Sequence, residues 1–437
     1  MEYVDLAEKL LKKTQFPAEV FLSSQVKENV SAMNNLLYKS ERIERVGAGI
    51  RIIKDGLLGF SYTTKMTSDG FDELLRGALL NAQARKLKVK LKEFPNPTNT
   101  RPVKSFEPGL RKKQVSDFVD AFYDSIGSLK DEKYVNSVGG EVSFGTEETT
   151  LMNTSGISYH KETAFLSVGY DLSLKDKSAC DASETQTFTQ LNKIDFNPVT
   201  ENAYKKGLQT LNPEKPETGQ YDLLIEPYAF SKLARKVWIE PLDVSRVKAG
   251  KSYLHGLEGK QVFSNKLTLN DDPLTPFKVK SCAFDDEGVP TAKKSLYNKG
   301  VFESPLSDTV SAADYGLPST GSGFRNFSTE PTPQVTNFEV PAGNTSLEEL
   351  SSGSKCVLVF SLLGLHAFNT ASGDLSVTLS KGCLLSKSER VSGAKGLALA
   401  INVKDLFREG AVEFSKERAD YNEFVLPWVK ISNVKLA

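Results

Sequence analysis

The clearest hydrophobic pattern lies between residues 40 and 87. Gly49-Ile50-Arg51-Ile52-Ile53-Lys54 and Leu57-Leu58-Gly59-Phe60-Ser61-Tyr62 are two β-rich runs separated by Asp55-Gly56. Both positions of a two-residue hairpin turn need positive φ, which Asp-Gly tolerates, so a hairpin is predicted. Ser68 then stands where a helix N-cap belongs. Phe71, Leu74, Leu75, Ala78, Leu79 and Ala82 recur at three- and four-residue spacing and make one apolar helix face. A second amphipathic helix is predicted over 113–128, with Val115, Phe118, Val119 and Phe122 inward. Between Asn136 and Phe188 the texture changes to short alternating runs such as Glu141-Val142-Ser143-Phe144 and Phe165-Leu166-Ser167-Val168. These predict an antiparallel meander, with Asn153-Thr154-Ser155-Gly156 at one turn.

Further along, a helix is expected over 200–210. The Pro-rich polar stretch from Asn212 to Gly219 reads as a domain boundary. It divides the chain into an N-terminal α+β domain, 1–212, and a C-terminal β-rich domain, 213–437. Tyr221–Glu226 reads as a strand stopped by Pro227, and a helix follows over 228–240. The remainder is mostly strand and loop, with short helices at 346–351 and 402–408. The expected fold class is therefore α+β: antiparallel sheets with flanking helices in the first domain and a β-rich, barrel-like second domain.

Composition narrows the function classes. Lys plus Arg and Asp plus Glu are 55 each, so the formal net charge is zero. Such a chain has no global pull toward nucleic acid or anionic membrane, and no direct nucleic-acid contact is expected. The run Lys86–Lys92 is read as the solvated end of a helix or an edge strand. The N-terminal MEYVDLAEKLLKK interrupts its apolar residues with charges, which makes an amphipathic helix and no signal peptide. No apolar run reaches the roughly 18 residues that a membrane span requires. Four cysteines without a CxxC pair suit a reduced, cytoplasmic setting.

The search for chemistry finds only fragments. The three histidines, His160, His255 and His366, are each more than ninety residues from the next. Asp285-Asp286-Glu287-Gly288 is acidic but lacks the alternate-residue spacing of a calcium loop, and a charged turn is the plainer reading. Gly250-Lys251-Ser252 looks like the end of a phosphate loop, but Ser245 replaces the glycine that its cradle needs. No Gly-x-Ser-x-Gly elbow occurs. Cys356 lies in an apolar run, where a thiol is ordinarily core filler.

Several pieces, taken in order, resemble the TldD/PmbA family, whose members are also described as modulators of DNA gyrase. They are Arg45-Val46-Gly47-Ala48-Gly49-Ile50-Arg51 with Gly59-Phe60-Ser61, Gly250-Lys251-Ser252-Tyr253, and Asp271-Asp272-Pro273. Phe284–Thr291, Asn298-Lys299-Gly300-Val301, Ser319-Thr320-Gly321, Thr336-Asn337, Gly373-Asp374-Leu375-Ser376 and Asn402–Phe407 follow. Within the family the chain is similar to the TldE (PmbA) branch. In the TldD branch, the helix after the first C-domain strand carries a His-Glu-x-x-x-His zinc motif, and a late Cys adds a third ligand. Here Arg235 and Glu240 would stand at the two histidine positions, and no Cys falls between Ala419 and Phe424. Arginine offers zinc no lone pair.

The resemblance implies a non-catalytic subunit of a heterodimeric zinc peptidase acting on peptides and unfolded segments. Zinc would be held by a TldD-like partner and no cofactor by this chain. Extended substrates held by edge-strand addition would be cut with little sequence preference. Asp285, Asp286, Glu287, Gly288, Ser319, Thr320, Gly321, Gly373 and Asp374 would mark peptide or partner contacts. Whether the chain homodimerises without its partner is left open. Two other classes compete: an independent hydrolase around Asp285, Asp286, Glu287 and His366, and a peptide-binding, chaperone-like homodimer.

Overall fold

The computed structural model describes residues 2–34 and 36–437. Helix α1 (Glu2–Lys13) leads into strands β1 (Ala18–Met33), β2 (Leu36–Lys54) and β3 (Leu57–Thr63). Helices α2 (Ser68–Arg85) and α3 (Val119–Leu129) precede β4 (Val135–Asn153), β5 (Ser158–Lys175) and β6 (Ala179–Phe188), and α4 (Asn197–Thr210) closes this half. The strands form one antiparallel sheet, in the order β3-β2-β1-β4-β5-β6, curled into a half-barrel. The Asp55-Gly56 turn is as its sequence requires, with φ of 53° and 72°.

Three local expectations are refined. The N-cap of α2 is Thr67, whose hydroxyl accepts from Gly70 N–H, so the helix begins one residue earlier than a Ser68 cap would give. The predicted 113–128 helix starts as a 3₁₀ turn, Val115–Phe118, and becomes α-helical at Val119. Strand β2 starts at Leu36, far ahead of the apolar run at Gly49. Its first half is exposed apart from the half-buried Glu41 and Ile43, so no alternation of apolar residues announces it. After Arg85, the lysine-rich run lies beside the hairpin: Leu58 N–H donates to Leu87 O and Val89 N–H to Gly56 O.

The second half holds β7 (Pro213–Glu214), β8 (Gly219–Ile225), β9 (Leu269–Asp271), β10 (Lys294–Asn298), β11 (Val301–Phe302), β12 (Gly323–Phe324), β13 (Thr332–Pro333) and β14 (Phe338–Glu339). The longer strands β15 (Cys356–Leu363), β16 (Asp374–Ser386), β17 (Glu389–Ala394), β18 (Ala398–Asn402), β19 (Val412–Tyr421) and β20 (Phe424–Leu436) follow. Its helices are α5 (Pro227–Ala234), α6 (Val244–Lys248), α7 (Thr309–Tyr315), α8 (Leu347–Ser351) and α9 (Val403–Leu406). All these strands except β12 and β13 join one large sheet with β20, β8, β15 and β16 at its centre. Most pairs are antiparallel, but β8–β15, β14–β20 and β7–β17 run parallel. The α+β reading with a β-rich C-terminal half is the observed architecture.

The two halves meet at a buried charge cluster. Arg51 on β2 donates from Nε to Glu19 on β1 (2.7 Å) and from Nη2 to Glu287 of the second half (2.7 Å). Arg325 pairs with the same Glu19 at 2.7 Å. Glu287 also accepts from the N–H of Thr309 at the start of α7 (2.7 Å). The Arg51, Glu19 and Glu287 side chains are 0–1% exposed. Gly47 and Gly49 serve the same junction. A Cβ on Gly47 would lie 2.4 Å from the Phe327 ring, and one on Gly49 would lie 2.3 Å from the Phe327 carbonyl. The Gly-x-Gly of β2 is therefore where the 326–330 loop lies down on the sheet.

Removing one member of a buried ion cluster leaves its partners charged and unsolvated. Arg51→Met is expected to destabilise the chain by about 3–5 kcal/mol in urea unfolding. An exposed control such as Arg246→Met should shift it by less than about 0.5 kcal/mol.

Candidate functional site

Strand β8 delivers the chain into α5 through Glu226 as N-cap and Pro227 at the first helical position, where a missing N–H costs nothing. The inner face, Phe230, Leu233, Ala234, Val237 and Trp238, is buried. Trp238 meets Phe230 edge-on at 5.3 Å and Phe407 at 4.7 Å. Helical turns continue past Ala234 in a wider form. Arg235–Ile239 is one π turn, closed by Glu240 N–H donating to Arg235 O. Residues five apart diverge by about 140° on an α-helix, at 3.6 residues per turn. A π turn instead stacks them. It thus brings Arg235 and Glu240, five apart in sequence, one above the other.

What occupies that face is ionic. Arg235 forms an ion pair with Glu423, in the turn between β19 and β20, and its guanidinium lies 5.1 Å from the centre of the Phe424 ring. Lys280 Nζ is 3.7 Å from the same Glu423 carboxylate, and Lys236 pairs with Glu240 at 2.6 Å. Burial pushes the Lys280 ammonium down to about 8, and the nearby Arg235 charge adds to this. Burial also holds Arg235 below its usual range. Glu423 lies in the Ala419–Phe424 segment, where the resemblance would place a TldD-branch Cys ligand and this chain has none.

This donor set does not fit zinc. Arg235 has no lone pair to give, and each carboxylate is already neutralised by a cation. Among the described residues, no group of three or more His, Cys, Asp or Glu is arranged to hold a metal ion. Burial pushes the thiols of Cys282, Cys356 and Cys383 up to about 12, against nucleophilic use.

The outer side of the same helix is open. Tyr228, Lys232, Arg235 and Lys236 face Phe360, Ser361, Leu362 and Leu365 across a cavity of about 240 Å³. The parallel pairing of β15 with β8 stops at Val359, opposite Ile225, so among the described residues no strand pairs with the backbone beyond Val359 on that side. Tyr228 also lines a second groove of about 810 Å³ running along β1, β4, β5 and β6. Gly139, Gly140 and Gly169 leave part of its wall as bare backbone. Beneath Tyr228, Lys206 joins Glu184 (2.6 Å) and Glu226 (2.7 Å). Burial raises the Glu226 carboxyl to about 7.

The remaining sequence-predicted residues fall in two other places. Asp285, Asp286, Glu287 and Gly288 are buried at the junction between the halves. Asp285 accepts from Glu287, Val289 and Gly323 N–H, and Asp286 takes Lys161 Nζ at 2.8 Å. Ser319, Thr320 and Gly321 lie beside them. Thr320 exchanges hydrogen bonds with Ser307, and a Cβ on Gly321 would meet Pro290 O at 2.5 Å. None of the hydrogen-bond partners of Asp285, Asp286 and Glu287 is a histidine, so His366 does not join them. Gly373 and Asp374 are elsewhere; Asp374 is exposed and accepts from Ser372 and Asn402 side chains. Sequence reasoning missed Glu423 and Lys280. The only signal for either was Glu423 lying inside the segment searched for cysteine.

The family model described as PmbA/TldA metallopeptidase C-terminal domain matches residues 218–437, and the one described as PmbA/TldA metallopeptidase domain 1 matches residues 18–82. The chain belongs to the PmbA/TldD family. Its fold is similar to the crystal structure of TldE from Thermococcus kodakarensis, with a TM-score of 0.90, 24% identity and all of both chains covered. It is 21% identical to a metalloprotease TldD homolog of Buchnera aphidicola over 83% of this chain and 76% of that one. It is 22% identical to a zinc metalloprotease TldD homolog of Saccharolobus solfataricus over 77% and 75%. In this PmbA/TldD-family chain, then, the helix carrying Arg235 and Glu240 has a π turn, and its outward side chains are ion-paired.

The raised Glu226 carboxyl has a stability signature. Its folded form binds the proton more tightly than the unfolded one, whose value is near 4.5. Its favourable contribution is complete below that value and is lost as pH rises toward about 7. Glu226→Gln should flatten this part of the fall in Tm between pH 5 and 8, read by calorimetry. Lys206 keeps Glu184 as its counter-ion in the variant.

Proposed function

We propose that this chain is the metal-free, non-catalytic subunit of a two-chain zinc peptidase, completing the substrate channel of a TldD-like zinc subunit. The observation that carries this reading is the Arg235–Glu423 ion pair on the π turn. The helix keeps the backbone geometry that would present two residues five apart to one ion. Its side chains hold a salt bridge there instead. Substrate would enter as an extended segment. The open backbone beyond Val359 offers main-chain hydrogen bonds, and these read no side chains, which suits peptides and unfolded segments of mixed sequence. Asp374, being exposed, is available for contact with a partner or peptide. Asp285–Gly288 and Ser319–Gly321 would serve that contact only indirectly, by fixing the junction behind it. No helix among the described residues is long and apolar enough to cross a membrane.

Co-expression with a TldD-like chain should give a stable complex that cleaves an unfolded peptide, with zinc stoichiometric to the partner alone. One zinc per chain in this protein purified by itself would overturn the reading, as would peptidase activity without the partner. A second measurement checks the slot. If the π turn preserves ligand geometry, the triple variant Arg235→His, Glu240→His, Glu423→Cys should acquire zinc measurable by elemental analysis. The variant carrying only Glu423→Cys should not.

A further inference from the structure

Three cavities meet at Tyr228. Its side chain lines the groove of about 810 Å³ on the first sheet, the cavity of about 240 Å³ outside α5, and a neck of about 60 Å³ between them. The neck shares Asp181 and Ser183 with the groove, and Phe360 and Ser361 with the α5 cavity. One path therefore leads from the first sheet, past Tyr228, to the outer side of α5. Its two ends are opposite in charge. The groove is lined by Glu141, Asp171, Asp181 and Glu184 and by no Lys or Arg. The α5 cavity is lined by Lys232, Arg235 and Lys236 and by no Asp or Glu.

The three cations of the α5 cavity are not equivalent. Arg235 is paired with Glu423 and Lys236 with Glu240, both carboxylates from outside the lining. Lys232 is exposed and has no carboxylate partner among the described residues; its Nζ lies 4.8 Å from the centre of the Tyr228 ring. Tyr228 and Lys232 are four residues apart on α5, which sets them on one face of the helix. The hydroxyls of Tyr228 and Ser361, both lining this cavity, make no hydrogen bond among the described residues. An ammonium can only donate, and each hydroxyl has a proton to give. The uncommitted side-chain groups of the cavity are thus donors around one net positive charge, beside the apolar Phe360, Leu362 and Leu365.

We propose that this cavity holds the free C-terminal carboxylate of an extended peptide. Lys232 supplies the counter-charge, and the Tyr228 and Ser361 hydroxyls donate to the carboxylate oxygens. Leu362 and Leu365 cover the last side chain. The preceding residues lead past Tyr228 toward the groove, whose carboxylates favour a free amino end or cationic side chains. A peptide on this path is oriented by its own ends, because reversing it would set carboxylate among carboxylates and ammonium against Lys232. Capture of a chain end reads no side chain, so it suits substrates of mixed sequence. This inference deepens the proposed peptidase-subunit role and rests on its peptide substrate, but its test needs neither zinc nor a partner chain.

The test measures binding to the full chain purified alone, by fluorescence anisotropy, of a short alanine-serine peptide with a neutral dye at its amino end. The free acid should bind about tenfold more tightly than the C-terminal amide. Lys232→Gln should bring that ratio close to one and leave the affinity for the amide unchanged. Tyr228→Phe, which keeps the ring and removes only the hydroxyl, should lower the ratio severalfold. Lys266→Gln, at an exposed lysine outside the path, should leave it as in the parent chain. Unchanged melting by circular dichroism would show that each variant folds. The proposal is overturned if free acid and amide bind equally, if neither binds, or if Lys232→Gln weakens both alike. It is equally overturned if an amide carrying an internal glutamate binds as tightly as the free acid, since any carboxylate would then serve. Zinc or peptidase activity in this chain alone would overturn the subunit reading and leave the acid-to-amide ratio untouched, so the two failures are distinguishable.

Discussion

The buried ion cluster around Arg51 holds the two halves of the chain in one arrangement. Its members come from β1, β2, the 285–287 turn, the start of α7 and the loop after β12. Taking these charges out of water is unfavourable unless each finds a counter-charge and hydrogen bonds. Those partners exist together only when the first sheet is seated on the second half. The cluster therefore specifies a docking geometry more than it adds net stability. Lys161 with Asp286 extends it, and the two β2 glycines let Phe327 close over it. The grooves that meet at Tyr228 depend on this seating, since one is walled by the first sheet and the other by α5 and β15.

The helix from Pro227 to Leu242 contains a π turn whose outer face carries paired charges. A π turn gives up regular helix hydrogen bonding and is uncommon outside functional sites. Here it is anchored from within by Val237 and Trp238, which fill the core of the second half. Packing can thus maintain the turn whatever stands on its outer face. Arg235 and Glu423 occupy that face with opposite charges, and Phe424 covers the guanidinium. A salt bridge of this kind is self-neutralising and leaves no vacancy for a dication.

The acidic run Asp285-Asp286-Glu287 illustrates a limit of reading chemistry from composition. Three adjacent carboxylates suggest a solvated or ligand-binding turn. Each is in fact buried and satisfied, by backbone N–H groups, by Lys161 or by Arg51. Its counter-charges lie more than a hundred residues away in sequence, so no local pattern could name them. Arg51 gave a faint signal, as a charge inside the apolar run Ile50–Ile53, but that signal does not say which carboxylates answer it.

By itself the sequence determined what depends on neighbours in the chain. The Asp55-Gly56 hairpin, the apolar face of α2, the meander of β4 to β6 and the β-rich second half follow from turn chemistry and periodicity, which act over a few residues. The ordered motifs pointed to the family, and the absence of histidines and cysteines from the positions where the resemblance would place zinc ligands was legible as an absence. Only the tertiary structure decided what stands at those positions, because Arg235 meets Glu423 across 188 residues of chain. It alone revealed the exposed half of β2, whose polar surface carries no periodic signal and whose order comes from pairing with β1. It also turned the acidic run inward. In each case the deciding contact is long-range, and long-range contacts are set by how sheets seat on one another.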